Sequence, residues 1–413
     1  DAQAAKLAEI KSTLTPAQLD EIISTTKKLK LRQQSPDSPE ALKTIPILKR
    51  EDLKKEPEKL PLQFRDIDGT RILFSNVDTH GIIYLTFYFD ATKVPQDKLP
   101  HAYLLTELLG NIDTKKHSYE ELAILTNLNI GGFGANLRAD PENGNPNAFM
   151  PRLKVFVKAL ESKLGDMTEI LSEIFNETAF TNKKRLRELV EQEQIDFELN
   201  LQSMATQIIS SQLAAYQNKP GAYNAAAYLP YNKFLKDLLE NFDDNFDELV
   251  DDLYDVLERL INRNGLIVSV TAPEELYKKF RPYLNDLIKS LKAEEFKREF
   301  YSFVCKPKNE GLYSQSRVQY VGKGANFIEL GHEYNGALNI LETILRYEYL
   351  WTKIRVQGGA YGAFASFGRN GNLFFGSYRD PNLKKTLETF DGTAEFLRNF
   401  NVSDREMDKR SEE

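Results

Sequence analysis

The sequence predicts an α+β protein in which a helical hairpin precedes two homologous modules, each a mainly antiparallel sheet packed with helices. Three observations predict this class. Two helical patterns open the chain, the same order of strands and helices then occurs twice, and the composition is that of a folded globular protein. The chain has 413 residues, of which 41% are hydrophobic and 28% are charged. This length accommodates roughly two to three domains of ordinary size.

The first sixty residues differ from the rest of the chain. The stretches AKLAEIKSTL and TPAQLDEIISTTKKLKL both predict helices, and the second begins with Thr15 as N-cap and Pro16 at the first helical position. A proline-punctuated segment, SPDSPEALKTIPILKREDL, follows and ends near Leu60. We therefore expect residues 1–60 to form an antiparallel helical hairpin and a connector that leads into a globular body.

The body contains one module twice, over residues 61–295 and 296–413. The first copy has the strand pair TRILFSNVDTHGIIYLTFYFDA, the helix HAYLLTELLGNI, the segment NIGGFGANLRAD, the strand RLKVFVKAL and the helix MTEILSEIF. The second copy has SRVQYVGKGANFIEL, NGALNILETILRYEYL, VQGGAYGAFASF, NLFFGSY and LKKTLETFDGTAEFLRNF in the same order. A double glycine falls at the same place in both copies, at Gly131-Gly132 and Gly358-Gly359.

The second copy is the shorter one. A long helical tract and the closing strand GLIVSVTA complete the first copy, whereas the second stops at Glu413, soon after SDREMDK. We expect the second module to be cut short, either by truncation of the chain or by proteolysis. A naturally short module is the less favoured alternative, because it would leave one face of a sheet uncovered.

Charge, hydropathy and cysteine content exclude several functional classes. The net charge is -7 with no long run of one sign, which argues against a nucleic-acid partner. No apolar stretch approaches the ~20 residues that cross a bilayer, so no membrane partner is expected. Cys305 is the only cysteine, which excludes an internal disulfide or a thiolate metal cluster and suits a reducing compartment.

The histidines do not complete a metal site. Zinc catalysis on a helix needs two histidines one turn apart with a glutamate beside them. His332 begins like H-E-x-x-H, but Gly336 occupies the second histidine position. His101 begins like H-x-x-E-H, but Leu104 and Leu105 replace the glutamate and the second histidine. We expect no metal site in this chain, and we interpret the remaining histidines as surface or turn residues, namely His80 and His117.

Three segments together resemble the pitrilysin/insulinase family of zinc metallopeptidases, in its presequence protease branch. They are the connector SPDSPEALKTIPILKREDL, the segment LPHAYLLTELLGNIDTKKHSYEELA with LNIGGFGANLRAD, and LWTKIRVQGGAYGAFASF. The resemblance covers essentially the whole chain. It implies four homologous α+β modules in the full-length enzyme, with a helical hairpin joining two halves that close over a peptide chamber. This chain resembles the joining hairpin and the C-terminal half.

The resemblance also implies roles for individual residues. In the family the N-terminal half binds the zinc, so zinc is expected in the full-length enzyme but not in this chain, which alone is expected to be inactive. The C-terminal half supplies an arginine and a tyrosine that contact the substrate backbone and stabilise the oxyanion, and Arg355 and Tyr361 match them. Gly358, Gly359 and Ala360 are expected to contact the substrate backbone. The expected partners are peptide substrates and the protein's own N-terminal half.

Arg355 and Tyr361 lie in the stretch RVQGGAYGAFASF, which we interpret as the start of a strand. A fully extended chain would place their α-carbons roughly 20 Å apart, so Gly358-Gly359 is expected to bend or bulge the chain between them. The architectural interpretation of the glycines is favoured, because the first copy has them too. The arginine and tyrosine are the addition in the second copy.

A second functional hypothesis remains at this point. The chain could be a non-catalytic peptide-binding or scaffold subunit of the same fold, paired with a separate active chain. The hairpin favours the fragment of an enzyme, because a covalent joining element is needed only if another half precedes it. The expected location is the bacterial cytoplasm, with an organelle matrix as the alternative.

Overall fold

The structure is a computed structural model that describes residues 2–34, 59–313 and 316–401, with isolated positions at 38, 40, 44, 52, 54, 56 and 407. The helices of residues 2–34 and the body of residues 59–401 belong to two separate compact units. Most of the predicted connector, and the end of the predicted second module, lie outside the described residues.

The N-terminal unit contains both predicted helices, α1 (Ala2–Thr13) and α2 (Pro16–Gln34). A capping box starts α2, as the sequence predicts. The Thr15 backbone N–H donates to the Gln18 side-chain oxygen at 2.9 Å, and the Gln18 N–H donates to the Thr15 hydroxyl at 3.4 Å. These two bonds satisfy donors that the first helical turn otherwise leaves unpaired.

A six-stranded sheet organises the first module, in the order β1-β2-β6-β3-β5-β4. The strands are β1 (Leu62–Ile67), β2 (Thr70–Asn76), β3 (Ile82–Asp90), β4 (Gly132–Glu142), β5 (Asn145–Leu160) and β6 (Ile267–Ala272). The β2–β6 pair is parallel and the other neighbouring pairs are antiparallel. The sheet is therefore mainly antiparallel, as predicted.

One strand pairing differs from the prediction. The sequence places β2 and β3 next to each other, but β6 lies between them and pairs with both. Val268, Val270 and Ala272 of β6 are fully buried, so the short strand fills the centre of the sheet and adds its apolar face to the core. Inserting it also gives hydrogen-bond partners to two strands that would otherwise expose unpaired edges.

Helices pack on this sheet and build the larger core. They are α3 (Leu99–Leu108), α4 (Tyr119–Asn129), α5 (Leu164–Glu177), α6 (Lys183–Asn200), α7 (Ala205–Ala215), α8 (Lys219–Ala225), α9 (Leu229–Glu240), α10 (Phe246–Leu260) and α11 (Glu274–Ser290). The alternation predicted for β3 is present, because Ile83, Leu85, Phe87 and Phe89 are all buried. These side chains and α3 share one hydrophobic core.

The second sheet has three antiparallel strands in the order β7-β9-β8. The strands are β7 (Gln319–Asn326), β8 (Gly362–Phe367) and β9 (Asn372–Asp380). The helices are α12 (Ala337–Ile344), which continues as a π-helix (Leu345–Val356), then α13 (Lys384–Asp391) and α14 (Thr393–Asn399). The final helix of the prediction is thus interrupted at Gly392. A separate, smaller core lies between this sheet and its helices.

A segment without helix or strand links the two sheets and lies on the first module. The Tyr301 hydroxyl lies 3.0 Å from the backbone oxygens of Ala91 and Val94, to which it donates, and the Glu299 N–H donates to the Thr92 oxygen at 2.8 Å. Tyr301 and Phe303 pack against the first core. These contacts anchor the segment along the first module.

Candidate functional site

The double glycine of the second module ends a helix instead of starting a strand, which corrects the interpretation from sequence. Arg355 lies in the last turn of the π-helix, and β8 begins only at Gly362. The Gly359 N–H donates to the Arg355 oxygen at 2.9 Å and the Ala360 N–H donates to the Ile354 oxygen at 3.1 Å. This closure resembles a Schellman motif but is wider, as suits a π-helical last turn.

Both glycines are required by this helix end. Gly359 has φ +81°, a left-handed conformation in which glycine has no steric penalty. At Gly358 a β-carbon would lie 2.4 Å from the Ile354 carbonyl oxygen, closer than any real side chain comes. In the first module Gly131 immediately precedes β4 and Gly132 is its first residue, so the same dipeptide has different roles in the two modules.

The helix end brings Arg355 and Tyr361 together. The Arg355 guanidinium carbon lies 5.5 Å from the centre of the Tyr361 ring and 4.1 Å from that of Trp351. The Tyr361 side of the pair faces solvent, with 58% of the residue exposed. The chain between the two residues is therefore folded back, as the expected bend requires.

A second arginine, which the sequence did not single out, lies on the other side of Tyr361. The Arg379 guanidinium carbon is 5.7 Å from the Tyr361 ring, and the Tyr361 N–H lies 3.3 Å from the Arg379 carbonyl. Arg379 is exposed and has φ +48°, which is uncommon for a residue other than glycine. Among the described residues, neither Arg355 nor Arg379 has an ion-pair partner.

Asp380 holds the turn that follows β9. Its carboxylate is fully buried and accepts from the Ser377 hydroxyl and the Thr386 hydroxyl at 2.7 Å each, and from the Asn382 N–H at 2.8 Å. The Asn382 side-chain amide in turn donates to the Gly358 carbonyl at 2.6 Å. Because the buried carboxylate is satisfied by several donors, this turn is a fixed support for the helix end.

The RDPN sequence of that turn is a recognisable turn signal. It could have predicted the turn after β9, but not that the turn contacts Gly358 or that Arg379 lies beside Tyr361. Both contacts join residues that are far apart in sequence, and no local pattern contains them.

The three residues predicted to contact substrate have different surroundings. Gly359 is exposed and Gly358 is half-buried, with its carbonyl bound to Asn382. Ala360 is buried in the smaller core and its N–H is used within the helix end. Their contact with substrate stays a prediction, and only Gly359 offers free surface to a ligand.

The arrangement is a cluster of hydrogen-bond donors without a general base or metal. Two guanidinium groups and a phenol surround one exposed surface, and arginine keeps its charge at any physiological pH. Such a cluster can bind carbonyl oxygens or a developing negative charge. Within the described part of the chain, no group of three histidine, cysteine or carboxylate side chains is arranged to hold a metal ion.

The degenerate motif at His101 explains why the first module does not fit zinc. Leu104 and Leu105 of α3 are fully buried in the core where an active motif would carry a glutamate and a histidine. The His101 Nε2 lies 3.3 Å from Asp252, and burial lowers the pKa of this histidine. The side chain is therefore part of an internal contact with α10 and not of a metal centre.

The other two histidines of the first module are not close to a metal-binding arrangement either. His80 is an exposed turn residue with φ +51°, as predicted. His117 is only partly exposed, and its Nδ1 lies 2.9 Å from the buried Glu173 carboxylate. It therefore stabilises the turn before α4.

The fold and this donor cluster define a class of protein, the non-metal-binding α+β module pair of a peptidase. Two family descriptions match the sequence, the associated domain of subgroup C of the M16 peptidases over residues 1–238 and the "PreP C-terminal domain" over residues 309–410. The chain belongs to the pitrilysin/insulinase family, in its presequence protease branch, and corresponds to the C-terminal half.

Individual relatives agree with this assignment. Protein HypA of Clostridium perfringens is 37% identical over 98% of this chain and 41% of its own length. Presequence protease 1, chloroplastic/mitochondrial, of Arabidopsis thaliana is 29% identical over 98% of this chain and 38% of its own length. The chain thus spans about two fifths of the length of the curated relatives it matches.

Solved structures share the fold at low sequence identity. A conserved protein from Enterococcus faecalis superposes with a TM-score of 0.60 at 13% identity, covering 85% of this chain and 83% of the other. The peptidase M16 inactive domain from Pseudomonas fluorescens has a TM-score of 0.56 at 14% identity, covering 86% and 83%. The predicted α+β class with two modules is therefore confirmed at the level of the fold.

Proposed function

We propose that this chain is the C-terminal half of a zinc-dependent metalloendopeptidase that degrades peptides and unfolded polypeptides, and that it is inactive without the N-terminal half. It forms part of the wall of the peptide chamber and supplies contacts to the substrate backbone. The observation that carries the proposal is the close approach of Arg355 and Tyr361 across the helix end, with the phenol exposed.

The proposed role follows from the chemistry of these donors. Attack on a peptide carbonyl places negative charge on its oxygen, and donors fixed in advance stabilise this charge by roughly 3 kcal/mol of barrier each. Tyr361 donates one hydroxyl hydrogen, and Arg355 donates from a planar fork that keeps its charge. Asp380 and Asn382 act as positioning residues, because they fix the loop on which the donors depend.

Zinc would be bound by residues outside this chain, because the described residues do not provide its ligands. In the part of the chain that the structure describes, no helix is both long and apolar enough to cross a bilayer. The cytoplasmic or organellar location stays a prediction.

The test is peptide cleavage by this chain alone and after mixing with a matching N-terminal half, with Tyr361→Phe as the variant. We expect no cleavage by the chain alone, recovery on mixing, and a loss of tenfold or more in kcat with Tyr361→Phe, which is about 1.4 kcal/mol or more. Tyr84→Phe removes a hydroxyl from an exposed tyrosine of β3 and is the matched control. Cleavage by the chain alone, or full activity of the Tyr361 variant, would contradict the proposal.

A further inference from the structure

The face of the second sheet turned away from its helices is paved with aromatic rings. Ala363 and Ala365 of β8 enter the smaller core, so Phe364 lies on the opposite face, together with Phe374 and Tyr378 of β9. The ring centres are 5.6 Å apart from Tyr361 to Tyr378, 6.5 Å from Tyr378 to Phe364, and 5.4 Å from Phe364 to Phe374. This series of rings, which we call the aromatic track, starts at the candidate site.

Two glycines allow the rings of the aromatic track to lie on the sheet. A β-carbon at Gly376 would be 2.6 Å from Phe364 Cζ, and one at Gly362 would be 2.5 Å from Tyr378 Cε1. The rings thus occupy the space above the opposite strand that side chains would otherwise fill. Half-buried rings in this position present apolar surface that a flat or extended ligand can cover.

The aromatic track ends at a cavity between the sheet and α7. The cavity has a volume of about 410 Å³ and is lined by Phe364 and Phe374 on one side and by Ser210, Leu213 and Gln217 on the other. This size falls within the range of sites that hold small ligand groups.

One polar group at the cavity lacks a partner. Among the described residues, the Gln217 side-chain oxygen is buried and accepts no hydrogen bond. A buried acceptor without a donor is unfavourable, and an N–H group of a bound peptide would supply the missing donor. The cavity therefore combines aromatic walls with one acceptor, which suits a peptide segment better than a purely apolar ligand.

We propose that this cavity is a subsite for an aromatic side chain of the peptide substrate, bound in extended conformation along the aromatic track. The inference rests on the proposed function, because Tyr361 marks one end of the track. A strand rises about 3.3 Å per residue, so Phe364 lies roughly 10 Å from Tyr361 along the sheet. The aromatic residue of the substrate therefore lies about three to five residues from the bond that is cleaved.

The experiment measures the binding of fluorescein-labelled peptides to the full chain by fluorescence anisotropy. One peptide contains a single phenylalanine and its partner has alanine at that position. We expect the phenylalanine peptide to bind about tenfold more tightly, which is about 1.4 kcal/mol. Ser210→Trp fills the cavity and abolishes this difference, whereas Ser203→Trp, on the exposed turn before α7, preserves it.

Further variants keep the outcome decisive. Ser366→Trp fills the cavity from its sheet side, where Ser366 is exposed, and replaces Ser210→Trp if that variant fails to fold. Equal affinity for the two peptides, no measurable binding of either, or a difference that survives both fillings would overturn the subsite.

The subsite and the proposed function fail in different ways. If Tyr361→Phe slows cleavage by the mixed halves but the phenylalanine peptide has no advantage, the proposed function stands and the subsite is wrong. If Ser210→Trp abolishes the advantage while Tyr361→Phe leaves cleavage unchanged, the cavity binds peptide but Tyr361 has no catalytic role.

Discussion

Gly358 shows how one residue sets the geometry of the candidate site. Its missing side chain lets the π-helix close against the Ile354 carbonyl and turn toward Tyr361. Any β-carbon there forces the backbone to move, and the distance between Arg355 and Tyr361 changes with it.

We expect Gly358→Ala to lower the free energy of unfolding of the second module by about 2 kcal/mol or more, because overpacking against backbone cannot be relieved by a side-chain rotation. Urea unfolding followed by the fluorescence of Trp351, the only tryptophan, measures this locally. Gly336→Ala is the control, because a β-carbon at Gly336 has no atom within 4 Å. Equal unfolding midpoints for the two variants would refute the steric argument.

Glu193 gives a pH dependence that also belongs to a single residue. Burial, and then the charges of Glu107 and Asp196, raise the pKa of Glu193 to about 7. The folded state therefore binds a proton more tightly than the unfolded state, whose glutamate titrates near its ordinary pKa of about 4.3. Stability is fully present below the unfolded pKa and is lost as the pH rises through about 7.

We accordingly expect Glu193→Gln to raise the free energy of unfolding by about 1–2 kcal/mol at pH 8 and to leave it almost unchanged at pH 4, after allowance for partial solvent screening. Urea unfolding at the two pH values measures the difference. Glu240→Gln, an exposed position on α9, is the control. A stabilisation that is the same at both pH values would show that the carboxyl charge is not its cause.

At the scale of elements, the turn between β9 and α13 supports the end of the π-helix. Asp380 fixes the turn, and Asn382 carries the contact across to Gly358. The candidate site therefore depends on two elements that are separated in sequence by β8 and β9.

We expect Asp380→Asn to lower the free energy of unfolding by about 1–3 kcal/mol, because one acceptor oxygen is replaced by a donor amide facing two hydroxyls or the Asn382 N–H. The activity of the mixed halves is expected to fall as well, although Tyr361 is unchanged. Trp351 fluorescence and peptide cleavage measure the two effects. Asp391→Asn, at the exposed end of α13, is the control, and equal effects of the two changes would exclude the support role.

The elements also show what the sequence could and could not predict. Alternation and helical spacing predict β3, β5, α5 and α12 correctly, because each pattern is local and repeats several times. The double glycine has no such property. It starts β4 in one module and ends the π-helix in the other, and the difference lies in residues that a short window does not weigh.

The donor pair of the site was predicted through the family resemblance, and its proximity is present in the structure. Arg379, Asp380 and Asn382 were not predicted, because their importance comes from contacts between distant segments. Likewise no local pattern shows that β6 inserts between β2 and β3.

At the scale of the whole molecule, the order of the strands has a consequence for synthesis on the ribosome. The central strand of the first sheet, β6, comes after all the others in the chain and after the helices α3 to α10. Until residues 267–272 emerge, β2 and β3 have no neighbour between them and their edges are open to other chains. Nascent chains that stall before this point are therefore expected to depend on chaperones, and the first module completes its folding late and in a single step.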